Sequence, residues 1–487
     1  MKKIVVITAF MMMYLSKAQE TQTIFKAACR ENVKTLDSLL KSMDISMKSQ
    51  NQSNLLHFAT YCSNEEVFDY LLQKGIKIND ANVYGDTPLM YAVLRRNVRM
   101  TKELINRGAA VNTVNKDSLT PLFNAIQSDN EDLIDLLLKA NADVNLGKSP
   151  LHRAVLNNNI KTFQKIINKD TSIDPLNDFG NTPLAIAIRE ENKEIVEFLL
   201  AKGADLKKVP KHNLKGAYLG QKKPDSIPLL FAKNFISTEN FVHSPTFSSD
   251  GNELYYTVES WRYHGGTIFM TKQENGRWTQ PKPIKIDGDY REIDPILSPD
   301  NTKLYYCTNR PIMKGDSIRE NCDLWMLKRT NNTWSKPIYL GEDVNNAEYH
   351  DWFPSFSSDE TLFFSTGPNN SSNIVYSELK DGHYQKPIDL GTMINSPNRD
   401  YDPIIAPDKS FIIFCSNRPN GYGSVDLYIS FRDENNQWTK AKNMGELINT
   451  KDIEFAPRLS PDGNYLFFNR GASIYWVSTK MIKATNK

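Results

Sequence analysis

Glu454 to Phe468 reads E-F-A-P-R-L-S-P-D-G-N-Y-L-F-F. Ala456-Pro457-Arg458-Leu459 enters a turn at Ser460-Pro461-Asp462-Gly463, and Tyr465-Leu466-Phe467-Phe468 leaves it as an aromatic-rich strand. Pro461 presets φ for the turn, Asp462 can bond nearby backbone, and Gly463 takes a positive φ with no Cβ to clash. The same strand-turn-strand unit occurs four more times: S-P-T-F-S-S-D-G-N-E-L-Y-Y from Ser244, D-P-I-L-S-P-D-N-T-K-L-Y-Y from Asp294, F-P-S-F-S-S-D-E-T-L-F-F from Phe353 and D-P-I-I-A-P-D-K-S-F-I-I-F from Asp402.

The turn aspartates Asp250, Asp300, Asp359, Asp408 and Asp462 are 50, 59, 49 and 54 residues apart. Hairpins at such a period are the mark of a β-propeller. Other features keep phase with them. An aromatic residue and a proline follow each hairpin (Trp278 and Pro281, Trp334 and Pro337, Tyr384 and Pro387), with Trp438 lacking its proline. Gly341 to Asn345, Gly391 to Asn395 and Gly445 to Asn449 close three of the units. A further strand in each unit brings the count to four, except in the last, where the chain runs out after Ser478. Ile227–Ile236 is the apolar segment left to supply the missing strand. The expectation is five blades closed by pairing of 227–236 with 473–478, with six blades as the alternative.

A second repeat family occupies the N-terminal half. Thr87-Pro88-Leu89-Met90-Tyr91-Ala92 returns at Thr120, Ser149 and Thr182, and in weaker form at Asn54, in steps of 33, 33, 29 and 33 residues. Thr or Ser caps a helix, Pro fits its first turn, and Leu and Ala face the next repeat. A second apolar helix follows each copy, ended by Gly75, Gly108, Asn141 or Gly203. The pattern resembles the ankyrin repeat, and with a degenerate first copy near Ile24 it predicts about six repeats. Such an array offers an extended concave surface to protein partners. The loop tips Asn82, Tyr84, Asn115, Lys116, Asp178 and Phe179 are its candidate contacts, while His57 and His152 read as capping and packing residues.

The 487 residues carry 59 basic and 57 acidic side chains, a balance that argues against a general nucleic-acid binder. Lys2 and Lys3, an apolar run from Ile4 to Leu15 and Ser16-Lys17-Ala18 read as a cleaved export signal, residues 1–18. No later stretch is apolar enough to cross a membrane. The expected layout is a repeat array at 19–206, a lysine-rich linker at 207–226, a propeller at 227–482 and a tail at 483–487.

The S-P-D-G hairpins, Asn-Arg-Pro at 309–311 and 417–419, and the W-x-x-P and L-G segments resemble the WD40-like PD40 repeats of TolB-type propellers. Tyr218-Leu219-Gly220-Gln221-Lys222-Lys223-Pro224 resembles the lead-in of Bacteroidetes members. The resemblance spans about 216–482 and implies an exported bacterial binding module, periplasmic, outer-membrane-associated or secreted. Blades three and four depart from it in carrying Glu360 and Lys409 where the turn glycine belongs.

The acids form the sharpest polar pattern. Glu292, Asp351, Asp400 and Glu454 stand three residues before the strand proline, and Asp294 and Asp402 directly before it. On inner strands they would ring the propeller mouth and favour a cation or a basic peptide. The alternative is a glycosidase using acids in a central funnel, expected not to hold because similar acids recur at equivalent positions. Neither metal spacing nor a cofactor motif stands out. Arg310 and Arg418 are expected to pair with Asp323 and Asp426. Cys307 and Cys322 are a candidate disulfide, and Cys29 and Cys62 are read as unbridged packing residues.

Overall fold

Thr120 shows how each solenoid repeat begins. Its hydroxyl accepts the Phe123 amide, Pro121 opens the helix Pro121–Gln127, and Leu122, Ala125 and Ile126 are buried. Such a cap is worth about 1 kcal/mol. Thr87 and Thr182 act likewise, Asn54 caps the copy at 54, and Ser149 makes no side-chain cap. A second, uniform cap stands before the following helix: Asn64, Asn97, Asn130, Asn159 and Asn192 each accept an amide three residues on.

The structure, a computed structural model, describes residues 22–168, 171–210, 214–238, 240–259, 265–288, 290–313, 315–331, 333–368 and 371–485. The export signal expected at 1–18 lies outside these. Two compact units, 1–210 and 211–487, divide the chain. Unit one stacks six helix pairs among the described residues, from 22–30 with Val33–Leu40 to Pro183–Arg189 with Lys193–Ala201, around one continuous apolar core. Adjacent repeats are tied by the signature histidines: His57 Nε2 meets Asp86 O at 3.1 Å and His152 Nε2 meets Asn181 O at 2.8 Å.

Cys29 and Cys62, expected unbridged, form a disulfide with Cα atoms 5.2 Å apart. They stand one repeat, 33 residues, apart, and stacking places equivalent positions of neighbouring first helices side by side.

Unit two is a ring of five blades. The first consists of Phe241–Phe247, Glu253–Glu259, Thr267–Glu274 and Lys282–Pro283, all antiparallel. Three more repeat the plan, their inner strands Glu292–Leu297, His350–Phe356 and Asp400–Ile405. The fifth takes Glu454–Leu459, Tyr465–Arg470 and Ser473–Ser478 from the end of the chain and Leu229–Leu230 from the start of the unit. Leu229 pairs with Trp476 and Leu230 with Tyr475, so the expected closure holds. Phe231, Ala232, Phe235 and Ile236 are buried behind it. The turn aspartates accept backbone amides two residues on, as Asp462 does from Asn464 at 3.1 Å. Glu360 and Lys409 adopt the left-handed φ of the glycines they replace, 58° and 61°.

Part of the segment expected as a linker at 207–226 belongs to the propeller. The Trp278 indole donates to Gly216 O at 2.9 Å, and its backbone N–H to Leu214 O at 3.0 Å. Tyr218 is buried against Phe247, Tyr465 and Trp476. Its lysine content suggested solvation, but lysine heads stay in water while Tyr218 and Leu219 between them are drawn into the core. Residues 483–485 of the expected tail end a short helix, Lys480–Thr485, whose Ile482 packs on blades four and five.

Candidate functional site

Each inner strand carries a β-bulge at its proline. The residue before that proline is left-handed in all five blades: Ser244, Asp294, Phe353, Asp402 and Ala456, with φ from 51° to 56°. None is glycine, so the conformation is strained five times over, at a place where bulges commonly re-aim side chains. Two of the five, Asp294 and Asp402, line a cavity of about 430 Å³ where the five inner strands converge.

The other expected mouth acids do not face it. Glu292, Asp351, Asp400 and Glu454 are buried. Glu292 meets Arg310 at 3.1 Å, Asp400 meets Arg418 at 2.9 Å and Glu454 meets Arg470 at 3.0 Å. The Arg310–Asp323 and Arg418–Asp426 pairs expected from sequence are therefore replaced by pairs with the inner strand of the same blade. Asp323 instead meets Arg319 at 2.9 Å, and Asp426 accepts the Tyr422 and Gly423 amides. The inner acids also hold the loops before them: Asp351 accepts the Asn346 amide, Asp400 that of Ser396 and Glu454 that of Thr450. Asp351 has no such arginine among the described residues, and burial pushes its pKa up to about 7. These four residues are blade fasteners, and a ring of six open carboxylates does not exist.

Around the cavity, positive groups answer the remaining acids. His243 sits between Glu259 at 3.3 Å and Asp294 at 3.3 Å. Burial opposes its protonation, but the two carboxylates outweigh burial and push its pKa up to about 9. Arg291 pairs with Glu259 at 2.9 Å. Asp294 also accepts from the Ser244 hydroxyl at 2.6 Å. Burial opposes its ionisation, yet His243 and Ser244 hold it below the usual carboxylate range. Asp402 accepts the Trp352 indole N–H at 3.2 Å and the Ala456 amide at 3.3 Å. Burial and the charge on Asp294 push it up to about 7, against Arg399 and Arg458. The two aspartates thus occupy unlike environments although their sequence positions are equivalent, which removes the symmetry argument against a funnel enzyme. Both are nevertheless engaged by protein donors.

Arg458 is the residue that sequence reasoning missed. It is 1% exposed, lies over the Phe353 ring at 3.6 Å, and feels both Asp294 and Asp402. Burial pushes its pKa down to about 10, so it stays charged at neutral pH. The signal was present: Arg458 stands where the other inner strands have Thr246, Ile296, Ser355 and Ile404.

The candidate disulfide at 307 and 322 is not formed. Both cysteines are free and buried; Cys307 Sγ accepts the Phe353 amide and Cys322 Sγ the Arg291 guanidinium. Cys415 is likewise free.

On the ankyrin array the expected contacts split in two. Tyr84, Lys116 and Asp178 are exposed and Phe179 is half-buried. Asn82 and Asn115 are not surface contacts. They are only 6% and 9% exposed, and each side-chain oxygen accepts two backbone amides of its own hairpin. Asn177 repeats the device in the loop of Asp178 and Phe179. The asparagines build the loops that present their neighbours.

Residues 79–148 and 145–209 match the family described as ankyrin repeats (3 copies). Over 196 residues the chain is 25% identical to the ankyrin repeat protein nuc-2 of Neurospora crassa; the match takes in 39% of this chain and 16% of that protein. Against the crystal structure of the human ASB11 ankyrin repeat domain the identity is 23%, over 38% of this chain and 85% of that one, with a TM-score of 0.33. The N-terminal half is thus an array of ankyrin repeats, a protein-interaction architecture, and the C-terminal half a five-bladed propeller.

Proposed function

We propose that the protein is an exported, non-enzymatic interaction protein of the bacterial cell envelope. The ankyrin loop tips engage a protein partner, and the propeller mouth forms a second binding site. The array carries this reading: its framework residues are buried, while Tyr84, Lys116 and Asp178 remain exposed on three of the inter-repeat loops. The Cys29–Cys62 bridge favours an oxidising compartment, in keeping with the leader-like residues 1–18. The PD40-like hairpins favour a TolB-type propeller of Bacteroidetes origin. Among the described residues no helix is long and apolar enough to cross a membrane. The acids alone suggested a cation or basic peptide at the mouth; the arginines and His243 beside them speak against it.

Crosslinking and capture from the native envelope tests the reading. The wild-type chain should retain a protein partner that Tyr84→Ala with Lys116→Ala releases. Capture unaffected by that pair would overturn the assigned surface. An intact Met1 on cytosolic protein would overturn export.

A further inference from the structure

Two guanidinium groups at the propeller mouth lack the carboxylate contact that three other blade arginines make. Arg310, Arg418 and Arg470 each hold an acid of their own blade. Arg399, on the cavity wall, makes no ion pair among the described residues, and its Nε has no hydrogen-bond partner. It is held instead by aromatic faces, 5.5 Å from the Trp352 ring centroid and 4.5 Å from that of Tyr401. Arg458 is more extreme: Nε, Nη1 and Nη2 are all buried and all lack an acceptor among the described residues. Buried donors on a charge require acceptors, from solvent or from a ligand.

The cavity also has aromatic walls and free acceptor capacity. Phe241 and Phe455 stack with centroids 5.9 Å apart, beside Trp352 and Tyr401. Glu259, Asp294 and Asp402 line the same space. His243, Arg291 and Arg399 line it against these three acids, and Arg458, buried outside the lining and coupled to Asp294 and Asp402, is a fourth positive group, so the surroundings of the pocket are one negative charge short of balance. A basic ligand would add to the excess. A purely apolar acid would strip water from the three carboxylates and return no hydrogen bonds. A neutral sugar would leave Arg399 unmatched.

We propose that the propeller mouth binds an acidic sugar, a hydroxylated ring bearing one carboxylate. The carboxylate meets Arg399, where a planar guanidinium can take it through two parallel hydrogen bonds. Ring hydroxyls donate to Asp402 and Glu259, and the apolar face of the ring lies on the aromatic wall. Arg458 keeps the floor positive from behind Asp294 and Asp402. The inference rests on the mouth being a binding site and adds the class of ligand.

Calorimetric titration of the full, disulfide-intact chain at pH 7 tests it, with glucuronate and galacturonate as probes and glucose, phenylacetate, inorganic phosphate and a Lys-Arg peptide as competitors. At least one uronate should bind tenfold or more tightly than every competitor. Arg399→Ala should weaken it at least tenfold with an unchanged melting temperature, since this side chain is half-exposed. Titrating methyl glucuronide beside glucuronate separates two sources: preference for the glycoside places the sugar at a chain end, parity points to the free acid, and either supports the class. No uronate binding, equal binding of phenylacetate, phosphate or the basic peptide, or full affinity in Arg399→Ala would overturn it. Partner capture through Tyr84 and Lys116 would survive that failure, so the two readings fail separately.

Discussion

In the ankyrin array the ties that matter join each repeat to the next, some 30 residues along: His57 to Asp86, His152 to Asn181, Cys29 to Cys62. In the propeller the deciding tie joins Leu229 to Trp476, nearly the whole length of the unit. A stack can lose an end and keep the rest, because each repeat leans only on its neighbours. A ring has no end to lose. Opening it exposes two sheet edges at once and undoes a core in which Tyr218, Phe231, Phe467 and Trp476 pack together.

The largest expected effect tests that contrast directly. A fragment starting at Lys211 should fold alone. One starting at Thr238 lacks Leu229–Leu230 and the buried Tyr218, Phe231, Phe235 and Ile236, each worth about 1.5–3 kcal/mol. It should aggregate in light scattering and show no cooperative melt. Equal melting temperatures for the two fragments would end the closure argument.

Next in size is the bridge. Replacing Cys29 and Cys62 by alanine should cost the ankyrin unit about 2–4 kcal/mol, since the bond closes a 33-residue separation. Calorimetry should show the ankyrin transition move and the propeller transition stay. Movement of both would mean that the two units do not unfold independently.

The smallest effect belongs to the propeller alone and follows from its buried acids. Asp323, at about 6, and Asp351 and Asp402, at about 7, lie above the unfolded value near 3.9, so the native state binds more protons than the unfolded chain in that window. Stability therefore falls as pH rises from about 4 to about 7. His243, raised to about 9, contributes stability that is whole below its unfolded value near 6.5 and is lost as pH rises through 9. Asp462, lowered to about 2, works in the opposite sense, its contribution present above about 4 and lost on acidification below that. The propeller should melt highest near pH 4–5 and several degrees lower at pH 8.5, each 1 kcal/mol being about 2–4 °C in a domain of this size. A melting temperature that rises steadily from pH 5.5 to 8.5 would show that these acids are solvated.

Residue types and spacing alone determined the two repeat architectures, because caps, turns and apolar periods act through neighbours in the chain. Thr120 and Pro121 start a helix, and Asp462 and Gly463 turn a hairpin, whatever lies across the molecule. The blade count and the closing strand were legible for the same reason, since the missing strand and the spare apolar segment could both be read off. Contacts were not legible. Glu292, Asp351, Asp400 and Glu454 looked like Asp294 and Asp402 in the sequence, yet the folded ring ties the first four within their own blades and leaves the last two lining the cavity. Sequence spacing likewise preferred Cys307–Cys322 to Cys29–Cys62, and residues 207–226 looked like a solvated linker although Tyr218 lies in the core. Arg458 became a site residue only when five strands converged, because its burial and its neighbours Asp294 and Asp402 come from three different blades. Burial and charge pairing are properties of packed space, and only the folded ring decides them.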